Sequence, residues 1–120
     1  MSEYSQAVLR YFFQSRQAGS LDVTQPDVRS ARRGEIGVGD VLQLQIQVDD
    51  QQLIIDAKFK VYGNPYAIAA MAWLTEQLMG RTLIKARKLT HQTVVEALDI
   101  PPTKLHTALQ VEDILYEVIG

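Results

Sequence analysis

The chain has 120 residues, 22% charged and 47% hydrophobic, with a net charge of −2 at neutral pH. These are the proportions of a soluble globular protein, and there is no basic surplus for binding nucleic acid. The absence of any cysteine excludes disulfides, thiolate nucleophiles, thiolate-ligated iron–sulfur clusters and cysteine zinc sites.

The length predicts one domain over residues 1–120. The N-terminus lacks the apolar core of a signal peptide, and no apolar run reaches membrane-spanning length. A cytoplasmic location with no membrane partner is the expectation. Glu3 to Gln14 carries Tyr4, Val8, Leu9 and Phe12 on or beside one helical face, with Ser2 as N-cap. Ala18-Gly19-Ser20 breaks that helix, and Pro26-Asp27 marks a turn before Val28–Arg33, a strand suited to an edge. Arg29, Arg32 and Arg33 read as a solvated strand face rather than a phosphate site. Gly34, Gly37 and Gly39 make a flexible connection ending in Asp40.

Leu42, Leu44, Ile46 and Val48 then alternate with Gln43, Gln45 and Gln47, the period-two pattern of a half-buried antiparallel strand. After the polar turn at 49–52, Leu53, Ile55, Ala57, Phe59 and Val61 alternate against Ile54, Asp56, Lys58 and Lys60, completing a hairpin. Asn64 at a cap and Pro65 at a first helical position open a helix reaching Met79. That helix is apolar nearly all round, so it is either buried on several faces or an interface. Gly80 closes it, and Thr82 and Thr90 cap short helices running to Lys88 and Leu98.

Pro101-Pro102 cannot lie within a helix. Residues 100–106 are therefore an extended elbow feeding a last helix, Thr103 to Ile119, with His106 in its first turn and Ala108, Val111, Ile114, Leu115 and Val118 toward a core. One helix, three strands and then only helices predict an α+β fold, a small three-stranded antiparallel sheet with helices packed on one face.

Three places have the residues for chemistry. Gly37-Val38-Gly39-Asp40 lacks the spacing of a dinucleotide or phosphate loop. Gly63-Asn64-Pro65-Tyr66 reads as a structural cap, because Pro65 removes one of the amides an anion would use. His106 stands alone, and no ligand spacing connects it with His91, Asp40, Glu112 or Asp113. Taken singly, these residues lead no further than an α+β domain.

Taken together, they carry a resemblance to a family. Residues 18–22 (Ala-Gly-Ser-Leu-Asp), Gly39-Asp40 running into the strand through Val48, Ala57 through Gly63, Ala67-Ile68-Ala69, Ile100 through His106, and Glu112-Asp113 occur in the order found in the iron–sulfur cluster assembly scaffolds of the IscU and NifU N-terminal-domain type. The chain resembles that family over nearly its whole length. The resemblance implies an α+β scaffold rather than an enzyme.

The departures from the family are as informative as the matches. Where such scaffolds place their three cluster cysteines, this chain has Val38, Asn64 and Thr107. Of the implied ligand set only Asp40 and His106 remain, a weak or vestigial metal site, so no cofactor is expected beyond an adventitious divalent metal. Ile100, Pro101, Pro102, Thr103 and Lys104 match the implied chaperone-recognition segment, with Thr103 in place of an aliphatic residue. Three different residues fill the cysteine positions and the second turn is rebuilt around Pro65 and Tyr66, which reads as natural divergence.

The first functional expectation is a degenerate scaffold, accessory or regulatory in iron–sulfur cluster assembly. Its implied partners are a cysteine desulfurase and an Hsp70-type chaperone. The alternative is a protein-interaction or small-ligand-binding module outside that system, using an apolar surface at Val38, Tyr66 and Trp73. An enzyme with Asp40 and His106 as acid–base pair ranks last, for want of a nucleophile or a shaped polar pocket.

Overall fold

The computed structural model describes residues 4–14, 16–35, 37 and 39–120. The N-cap expected at Ser2 and the position of Val38 lie outside the described residues. The elements are α1 (Gln6–Phe13), β1 (Val28–Arg33), β2 (Val41–Val48), β3 (Ile54–Tyr62), α2 (Pro65–Leu78), α3 (Leu83–Ala86), α4 (His91–Leu98), a 3-10 turn at Pro102–Lys104 and α5 (Leu105–Ile119). The strands form one antiparallel sheet in the order β1-β2-β3.

The alternation in β2 puts Leu42, Leu44, Ile46 and Val48 into the core, where α2 and α5 cover them together with Ala57 and Phe59 of β3. The opposite face is partly roofed by the segment after α1. Leu21 N–H donates to Gln45 Oε1 (2.7 Å) and Gln47 Nε2 to Asp27 Oδ2 (2.8 Å), so Gln45 is buried without losing its polar partners.

Strict alternation fails at the start of β3. Val48 pairs with Ile54 but Gln47 pairs with Asp56, which leaves Ile55 as the extra residue of a bulge. Ile54 is consequently fully buried and Ile55 is 44% exposed, the reverse of what alternation from Leu53 through Ile55 to Ala57 implies. The turn feeding the bulge is held by Asp49 Oδ1, which accepts from the Gln51 and Leu53 amides at 2.9 Å each, while Gln52 takes a φ of 62°.

Helix α1 is shorter than Glu3–Gln14, starting after an N-cap at Ser5. The Ser5 hydroxyl also donates to Leu98 O at the end of α4 (2.6 Å). Helix α3 stops at Ala86 rather than Lys88, and α5 begins at Leu105 because the 3-10 turn occupies the residues before it. Two of the three β1 arginines serve the end of α5. Arg29 donates to Ile119 O (2.8 Å) and Arg33 pairs with Glu117 (3.2 Å), placing positive charge where the helix dipole is negative.

Candidate functional site

Pairing of Val41 with Tyr62 sets Asp40 next to Gly63 and Asn64 at the open end of the hairpin. There Asn64 holds Asp40 with two donors. Its backbone N–H reaches Oδ1 (2.9 Å) and its Nδ2 reaches Oδ2 (2.7 Å). The Oδ1 of the same side chain accepts from the Tyr66 and Ala67 amides (2.8 and 3.2 Å), capping α2. Pro65 follows at the first helical position, where a missing N–H costs nothing. Asn64 alone therefore starts the helix and immobilises the Asp40 carboxylate. Gly63 makes room for this clasp, since a Cβ there would overlap the Asp40 carboxylate.

The elbow approaches the same end of the molecule. Asp99 closes α4 in a left-handed conformation (φ 51°, ψ 54°), and Ile100 behind it is buried at 5% exposure. Pro102 and Thr103 face solvent. Lys104 Nζ lies 5.9 Å from the centre of the Tyr66 ring, within cation–π range, and the Tyr4 ring packs on Tyr66 at 5.0 Å. His106 is exposed, and no hydrogen bond or ion pair joins it to Asp40. The next side chain, Thr107, is fully buried, and its hydroxyl has no hydrogen-bond partner among the described residues.

Of the apolar surface expected at Val38, Tyr66 and Trp73, the two described members, Tyr66 and Trp73, need correction. Tyr66 is 6% and Trp73 7% exposed. Helix α2 is packed against α1, α4, α5 and β3, so its apolar character reflects burial on most sides, with Ile68 half-buried and Glu76 exposed.

Among the described residues, no three His, Asp or Glu side chains gather as a group that could hold a metal ion. Glu112 has a different task from ligation. Its Oε2 accepts from the His91 backbone N–H (2.6 Å) and lies 2.8 Å from His91 Nδ1, binding α5 to the N-terminus of α4. Burial opposes the charge on Glu112, but the hydrogen bonds from the His91 amide and ring outweigh it and hold the carboxyl below its ordinary range. Neither this pair nor the Asp40–Asn64 clasp has a local signature. Their members are 21 and 24 residues apart, and only the helix-cap half of Asn64's role can be read from its neighbours.

Both the fold and the ordered set of loops at the hairpin end are those of one family. Residues 3–120 match the family model of the NifU-like N-terminal domain, and the chain belongs to that family. It is 41% identical over 110 residues to the iron–sulfur cluster assembly scaffold protein IscU of Azotobacter vinelandii, spanning 92% of this chain and 86% of that protein. Identity to the Haemophilus influenzae protein of the same name is 39% over 117 residues, spanning 98% and 93%. The fold also matches the crystal structure of a candidate iron–sulfur cluster assembly scaffold for the SUF system from Fervidobacterium islandicum, with a TM-score of 0.77 at 18% identity over 98% and 96% of the two chains. No helix among the described residues is long and apolar enough to cross a membrane.

Proposed function

We propose that the chain is a degenerate scaffold, which serves iron–sulfur cluster assembly by binding partners and does not build clusters. The observation that carries this reading is the Asp40–Asn64 clasp. A cluster needs about four ligands, mostly thiolates. This chain supplies no thiolate, its Asp40 carboxylate is already held by two donors, and Thr107 is enclosed in the core. The residues present do not fit a cluster. Nor can the chain accept sulfane sulfur from a cysteine desulfurase, because that transfer requires an attacking thiolate.

Partner binding has more support. The elbow keeps Pro101, Pro102 and Lys104 of the recognition-like segment, with Pro102 and Thr103 exposed. An Hsp70-type chaperone that grips an extended segment would have to draw Ile100 out of the core, at about 1.5–3 kcal/mol. Recognition is therefore weakened rather than abolished.

The test has two arms. A tagged chain recovered from native lysate should carry a cysteine desulfurase or an Hsp70-type chaperone, identified by mass spectrometry. Anaerobic incubation with desulfurase, cysteine and iron should leave no persulfide in the intact mass and no visible charge-transfer band after desalting. A band that survives desalting would overturn the cluster claim. A bound fraction without any assembly protein would move the chain outside that system.

A further inference from the structure

We propose that the open end of β3 is a strand-addition site for an extended, acidic segment of a partner protein. Strand β3 is an edge of the sheet, and most of its outward backbone groups are already paired. The Ile54 amide donates to Arg81 O (2.8 Å), and Ile54 O accepts from the Gly80 amide (2.9 Å). Gln17 Nε2 donates to Ala57 O (2.7 Å). The Phe59 amide donates to Gln17 O and Phe59 O accepts from the Gly19 amide, both at 3.0 Å.

The covering segment then leaves the edge after Gly19, where Leu21 turns across the sheet to Gln45. Val61 lies two residues beyond Phe59, so the antiparallel ladder directs its N–H and C=O to the same outer side. Outside the sheet, no described residue hydrogen-bonds to either group.

Beside this free pair is a cleft of about 690 Å³, lined chiefly by Phe12, Phe59, Val61, Tyr62 and Ile68, with Lys60 the one charged lining residue among those described. Tyr62 is 74% exposed. The donor and acceptor of Val61 would read an extended backbone, and the cleft under the edge would take apolar side chains from alternate positions of the incoming strand. The covering segment already occupies the edge beside Phe59 and Lys58, so the neighbouring position of the incoming strand would lie on the outer face beside Lys60, which favours a carboxylate.

Lys60 argues against a second copy as the occupant, because antiparallel pairing about Val61 would set the two Lys60 side chains diagonally across from each other on one face, with no carboxylate between them. The β1 edge carries arginines, two of them drawn to the end of α5. None of the former cysteine positions takes part, so the site holds with or without the assembly role.

The probe is an acetylated peptide alternating valine and glutamate, titrated into the isotopically labelled full chain and followed by amide chemical shifts. Saturable shifts are expected at residues 60–62 and Phe12. Replacing glutamate by lysine should weaken binding, and N-methylation of the peptide amides that face β3 should abolish it. Val61→Pro removes the outward N–H without removing a ladder bond and should also abolish binding. Lys60→Glu serves if that variant fails to fold. It should weaken the glutamate peptide roughly three- to tenfold, the worth of exchanging one attractive cross-strand charge pair for a repulsive one, and improve the lysine peptide. Shifts centred elsewhere, no saturation at millimolar peptide, or an affinity indifferent to N-methylation or to Lys60→Glu would overturn the proposal. So would self-association through residues 60–62 that excludes the peptide, which would assign the edge to a second copy.

Discussion

Asn64→Ala removes two contributions at once, because the side chain caps α2 through Oδ1 and clasps Asp40 through Nδ2. Losing an asparagine cap costs about 1 kcal/mol. Losing a hydrogen bond to a half-buried carboxylate costs about 1–2 kcal/mol, below the value for a fully buried one. The backbone bond from the Asn64 amide to Asp40 survives the substitution. The total is about 2–3 kcal/mol, or roughly 6–15 °C in Tm for a chain of this size. Asn64→Ser separates the two effects, since a serine hydroxyl can still cap but cannot reach Asp40 with an amide, and it should lose only about 1–2 kcal/mol. The assay is urea unfolding followed by circular dichroism, run as a double-mutant cycle with Asp40→Ala. A coupling of about 1–2 kcal/mol is expected between positions 40 and 64. Effects that add to within about 0.5 kcal/mol would refute the clasp and, with it, the main support for a degenerate scaffold.

Thr107→Val should stabilise the chain by about 1 kcal/mol, because it replaces an unpartnered buried hydroxyl with a methyl of the same shape; a lower urea midpoint would show that the hydroxyl has a role. Glu112 predicts a pH dependence of definite sign. Its folded carboxyl lies below the ordinary value of 4.5. The stabilisation is therefore fully present above that value and is lost as pH falls through the lower, folded one. Glu112→Gln should cost about 1–2 kcal/mol at neutral pH and flatten the acid limb of stability. Parallel acid limbs for the variant and the native chain would remove the His91–Glu112 pair from the account.

Periodicity and capping chemistry alone determine much of this protein. The alternation of Leu42, Leu44, Ile46 and Val48 with glutamines needs a sheet with one covered face. Asn64-Pro65 supplies a cap and a first-turn residue for a helix, and Pro101-Pro102 forbids one from running through it. These signals are local, since each depends on a residue's own torsions or on neighbours a few positions away. The missing cysteines are legible in the same way, because chemistry the chain does not carry cannot be supplied by folding.

What only the tertiary structure decided depends on which strand residues stand opposite one another. The bulge at Ile55 moves the β2–β3 register by one residue. Without it Val41 would face Val61, Lys58 and Lys60 would share the inward side with Leu42 and Leu44, and Asp40 would stand across from Tyr62. With it the lysines stay outside, Asp40 comes beside Gly63, and Asn64 can close on the carboxylate. Both Leu53 with Ile55 and Ile54 alone are apolar, so alternation does not choose between the two parities. The choice comes from packing Ile54 against the core and from the Asp49 turn that admits the extra residue. A one-residue slip turns every side chain to the other face of a strand. The same bulge therefore separates a sheet with buried lysines from the one that forms, and a free Asp40 from one held by Asn64.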